Sequence, residues 1–103
     1  MSPQLAPVTS DDYKPAAPSL PSQLGIVAEM LAALDTQTNA GQRHTMGKVV
    51  GILAPHVGRR ASVRLRMART IDELAHEARR IVPDAPIFRH HAEELVLALR
   101  AVL

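Results

Sequence analysis

The 103-residue chain has no cysteine and no tryptophan, one tyrosine, Tyr13, and one phenylalanine, Phe88. Without cysteine there is no disulfide, no thiolate nucleophile and none of the usual zinc sites, so stability rests on packing, as a cytoplasmic protein tolerates. So few aromatics argue against the stacking platforms of single-strand nucleic-acid binders. The interior must come from Leu, Val, Ile, Met and Ala, a palette that favours helix over strand. No stretch approaches the roughly 18 apolar residues of a membrane span. The start, Met1-Ser2-Pro3-Gln4-Leu5, carries neither the basic nor the apolar region of a secretory signal. These absences together predict a cytoplasmic protein without a transmembrane segment.

Acid is missing from one stretch. Net charge is only +2, yet residues 41–69 hold Arg43, Lys48, Arg59, Arg60, Arg64, Arg66 and Arg69 against no Asp or Glu. The flanking thirds are close to balance or slightly acidic, so the cationic block is the one uneven feature of the charge pattern.

What is present fits one domain, since the chain has length for a single core. Prolines at positions 3, 7, 15, 18 and 21 remove backbone donors and restrict their neighbours, which predicts an extended Pro-rich tail over residues 1–18. Its overlapping P-x-x-P spacings read mainly as a linker.

From there the apolar residues recur at three and four. Leu20, Leu24, Val27, Leu31 and Leu34 predict a helix over about 20–39, capped by Ser19 or Ser22 and stopped by Asn39-Ala40-Gly41. Met46, Val49, Val50 and Leu53 predict a second over 45–55, with Gly47 and Gly51 on a face that another helix could approach closely. Pro55 ends or kinks it. Val63, Met67, Ile71, Leu74, Ala78 and Ile81 predict a third over 59–82. Thr70-Ile71-Asp72-Glu73 matches a capping box, but the apolar stripe crosses it unbroken, so the helix is read as continuous. Asp84 and Pro86 open a fourth, 85–103, carrying Phe88, Ala92, Leu95, Leu99 and Val102. The fold class is thus all-α, a compact four-helix bundle or orthogonal helical array over residues 19–103 preceded by the tail.

The first and last helices are apolar around much of their circumference, more than a domain of this size has interior to bury. That surplus predicts a homo-oligomer, with Leu24, Val27, Met30, Leu31, Leu34, Leu95, Leu99 and Val102 as the self-associating residues.

Constellations for chemistry are thin. Of His44, His56, His76, His90 and His91, only His90 with Glu94 has a suggestive spacing, and it lacks the repeated ligand of a helical metal motif. Acids and arginines at three- and four-residue intervals, Arg69 with Glu73, Glu77 with Arg80 and Arg89 with Glu93, read as solvated helix pairs. No phosphate loop, dinucleotide fingerprint or nucleophile elbow stands in the chain. The expectation is a non-enzymatic protein with no cofactor and no metal.

The strongest constellation is the cationic block, a basic flank suited to an acidic protein surface or to a phosphate chain. Ala54-Pro55-His56-Val57-Gly58 resembles in outline the turn of a helix-turn-helix motif, although Pro55 and Arg64 sit where that motif wants other residues. The functional expectation is a helical protein-protein interaction module, an adaptor, regulator or small accessory subunit that self-associates. The alternative is a DNA-binding regulator using segment 41–69.

Overall fold

Ser19 lies in extended backbone and its hydroxyl accepts the Ser22 N–H at 3.3 Å, which starts helix α1, Leu20–Ala33, with Pro21 in its first turn. The computed structural model of the chain describes residues 19–103. The expected tail, with its P-x-x-P spacings and Tyr13, lies outside the described residues.

Leu20, Leu24, Val27 and Leu31 of α1 are buried on one stripe. The helix tightens into a single 3-10 turn, Leu34–Thr36, and ends short of the expected residue 39. Its last carbonyls find other donors: Thr36 Oγ1 donates to Ala33 at 3.0 Å and Gln42 Nε2 to Leu34 at 2.7 Å. Asn39-Ala40-Gly41 is therefore the opening of the next helix rather than a stop, because Thr38 Oγ1 accepts the Gly41 N–H at 3.1 Å.

Helix α2, Asn39–Gly58, is longer than the predicted 45–55 at both ends. Pro55 does not end it. The donor that Pro55 lacks would serve the Gly51 carbonyl; Gly51 is exposed, a place where a missing helical donor costs less than in the core, and the helix runs on for three more residues. Gly47 and Gly51 face solvent, with no atom within 4 Å of where a Cβ would stand, so no other helix of the described chain approaches there.

Helix α3, Ala61–Glu77, crosses Thr70–Glu73 without a break, as its stripe predicts. It stops five residues before Val82. Glu77, only 8% exposed, accepts Arg80 Nη1 at 3.1 Å and the Asp84 N–H at 3.3 Å, which ties the connecting loop to the helix end. Ile81, expected on the buried stripe, stands in that loop and is 82% exposed. Asp84 then caps helix α4, Ala85–Arg100, accepting the Ile87 N–H at 3.1 Å, with Pro86 in the first turn.

The four helices and the 3-10 turn make an all-α array, and no strand occurs among the described residues. Helix α2 touches each of the other three, α3 packs along both α2 and α4, and α1 meets α4 only sparingly. The core joins Leu24, Val27 and Leu34 of the N-terminal segment to Met46, Val49 and Leu53 of α2, Val63 and Leu74 of α3, and Phe88, Leu95 and Leu99 of α4, all essentially without solvent contact. No helix among the described residues is long and apolar enough to cross a membrane.

Candidate interaction surfaces

The sparse contact of α1 with α4 leaves an open groove between them of about 680 Å³, walled by Ala28, Leu31 and Ala32 on one side and Val96 and Leu97 on the other, with Asp35, Arg89 and Glu93 at its rim. The α1 wall is low because its outward residues are alanines. The α4 wall carries Leu97, which is 67% exposed although a leucine gains about 1.5–3 kcal/mol from full burial. At one end Arg89 spans the groove: its Nη2 donates to Asp35 Oδ1 at 2.9 Å, and its Nε and Nη2 reach the Leu31 carbonyl at 3.4 and 3.3 Å. A cation on the final carbonyls of α1 also complements the negative end of the helix dipole.

This contact alters the pairing read from helical spacing. Arg89 turns across to α1 instead of toward Glu93, and among the described residues Glu93 has no ion-pair partner. Glu73 likewise stands 3.7 Å from His91 Nε2 rather than beside Arg69, whereas Glu77 does pair with Arg80.

The residues assigned to self-association separate into two groups. Leu24, Val27, Leu34, Leu95 and Leu99 lie wholly in the chain's own core, so they cannot form a surface for a second copy, and Leu31 is buried there too, with only an edge on the groove. The correction has a simple cause: the most regular stripe of a helix is the one that faces its own domain. Met30 is half-buried against that core and Val102 is exposed. The apolar residues left outside include Ile26, Leu97, Val102 and Leu103. Leu97 was missed, and its signal is positional: it falls two residues from Leu95 and from Leu99, on the opposite side of α4 from the stripe.

The cationic block is divided in a similar way. The segment expected as a turn, Ala54–Gly58, is the last part of α2, and the true corner is Arg59-Arg60. Arg60 Nη1 donates to the His56 carbonyl at 3.1 Å and Arg64 Nη1 to the Gly58 carbonyl at 2.7 Å, so two of the arginines hold the terminal carbonyls of α2. Arg43 donates to the Ile81 carbonyl and braces the α3–α4 loop. Lys48, Arg59, Arg66 and Arg69 are exposed. Leu65, 82% exposed, stands among them.

His56 is the one buried titratable ring beside this block, 8% exposed. Its Nε2 lies against Gln23 Oε1 of α1, so the ring donates from Nε2 and its Nδ1 is left buried without a partner. Burial, then the nearby guanidiniums of Arg60 and Arg59, lower its pKa from the usual 6.5. At the surface of α4, His90 Nε2 and Glu94 stand 3.8 Å apart, and no three His, Asp or Glu side chains among the described residues are placed to hold a metal ion.

Comparison with protein-family models, with curated proteins and with solved structures finds no match to this chain.

Proposed function

We propose that the chain is a non-enzymatic helical protein-protein interaction module, an adaptor, regulator or small accessory subunit, that self-associates through the groove between α1 and α4. The observation that carries this reading is the groove itself, an apolar trough with Leu97 standing out of one wall while six of the regular apolar residues are already satisfied inside. Apolar surface arranged as a trough is the form that accepts a helix. Light scattering across a dilution series tests it. The expected result is a mass that climbs above 11.2 kDa as concentration rises. A constant monomer mass up to about 0.1 mM, where an association of about 5.5 kcal/mol is half complete, would refute the self-association.

A second reading, DNA binding, is favoured by Lys48, Arg59, Arg66 and Arg69, exposed in a stretch without acid. With four such contacts the logarithm of affinity should fall with the logarithm of salt at a slope of about −3.6. Absence of any salt-sensitive retention on duplex DNA removes this reading.

A further inference from the structure

Helix α4 places a self-complementary pattern on the wall of the groove. Val96 and Leu97 sit at its centre, with Glu93 preceding them and Arg100 following; Glu93, Leu97 and Arg100 are on the exposed flank of the helix, and Val96 stands at its border, partly buried against the core. Glu93, Val96 and Leu97 line the groove directly, and Arg100, on the same flank, is exposed. Glu93 and Arg100 are seven residues apart, two helical turns and about 10.5 Å.

A helix laid antiparallel against a copy of itself, with the two-fold axis between Val96 and Leu97, brings residue 93 of each copy opposite residue 100 of the other. It also brings Leu97 against Val96. The single pattern therefore satisfies both copies at once, acid to base at each end and aliphatic to aliphatic in the middle, which is the condition for an isologous interface. Two intramolecular facts leave the pattern open. Arg89, the nearest cation to Glu93 on the helix face, is engaged by Asp35 and Leu31. Among the described residues neither Glu93 nor Arg100 has an ion-pair partner. The alanines at 28 and 32 give the room, since the low α1 wall lets a second α4 settle between α1 and α4.

We propose that two copies of this chain form a two-fold dimer in which the α4 helices pair antiparallel in each other's α1–α4 groove, with Val96 and Leu97 on either side of the axis and Glu93 of each copy against Arg100 of the other. The inference rests on the self-association proposed above and adds its residues and symmetry.

Charge reversal tests the register. In Glu93→Arg both ends of the dimer set arginine against arginine, and in Arg100→Glu both set glutamate against glutamate. Each variant alone, as full-length chain, should lose at least about tenfold in dimer affinity by sedimentation or light scattering, because close like charges replace opposite ones. An equimolar mixture of the two variants should dimerise again, since every facing pair in the mixed dimer is opposite in sign, and the double variant should do the same alone. Leu97→Ser should weaken association without altering charge. Both charged positions are exposed, and far-UV circular dichroism confirms that each variant is folded. If wild type associates but the single reversals associate as well, or the mixture fails to recover, this interface is wrong while self-association stands. If wild type stays monomeric throughout, both proposals fall.

Discussion

Replacing Gly47 and Gly51 with alanine should make the domain distinctly more stable. Both glycines lie inside α2, away from its ends, where glycine is less favourable than alanine by about 0.8–1.0 kcal/mol because it has more backbone freedom to lose. Normally such a gain is offset by collision. Here, apart from the helix's own backbone, no atom of the described residues stands within 4 Å of the added Cβ at either position, so there is neither a clash to subtract nor a burial to add. The two together should contribute about 2 kcal/mol, and for a domain of this size each kcal/mol raises Tm by roughly 4–8 °C. Thermal melts of Gly47→Ala, Gly51→Ala and the pair, followed at 222 nm, should thus shift by about 4–8 °C singly and about 8–16 °C together. Urea titration should move the midpoint at constant slope, the sign of altered stability rather than an altered unfolded state. An unchanged or lower Tm would refute the reasoning, since it requires a neighbour that the added methyl strikes.

Three further predictions follow from single contacts. Because the folded-state pKa of His56 lies below its unfolded value of 6.5, the unfolded chain binds more protons between the two, so the ring's contribution is complete above pH 6.5 and is lost as pH falls below it. Wild type should lose stability faster than His56→Gln between pH 7.5 and 5.5, and equal slopes in denaturant titrations at several pH values would count against this. Arg89→Met removes a half-exposed ion pair and a carbonyl contact, for a loss of about 1 kcal/mol that should shrink in high salt; a salt-independent loss would locate the effect in packing instead. Phe88→Ala, at the largest fully buried side chain, should cost about 3–5 kcal/mol, much of the stability of a small domain, and a cooperative melt near the wild-type temperature would refute the core assignment.

The parts of the fold that were legible in the sequence are those decided by neighbours along the chain. Ser19 and Asp84 cap where their side chains can reach an N–H three residues on, and the apolar stripes of α1, α3 and α4 face inward as their spacing requires. The misread boundaries are places where a local signal has two meanings. Asn39-Ala40-Gly41 reads as a stop until Thr38 is seen capping it, and Pro55 reads as a breaker until Gly51 is found open to water. Ile81 keeps the period of α3 but is thrown outward, because Glu77 ends the helix through contacts with Arg80 and Asp84 that no periodicity encodes. The candidate surfaces were less legible still. Spacing could not tell that Arg89 crosses to α1, or that Arg60 and Arg64 hold carbonyls, since side-chain partners on another segment are set by how helices dock. Nor could it tell which side chains of the two apolar helices, Ile26 of α1 and Leu97 of α4, would be left outside.

The order in which the helices touch has a consequence for how the chain acquires its structure. Each helix packs on the one before it, α2 on α1, α3 on α2 and α4 on α3, through connections of a few residues, so most closures span short loops. Contacts of that kind place a protein among those that fold in microseconds to milliseconds. During synthesis each new helix meets a partner already made, and the first three gather much of the apolar surface. They cannot shield it, however, because Phe88, Leu95 and Leu99 are supplied by α4 alone. A chain holding α1 to α3 without α4 would leave the apolar surface that Phe88, Leu95 and Leu99 cover open to water, the kind of surface that makes incomplete folds prone to associate.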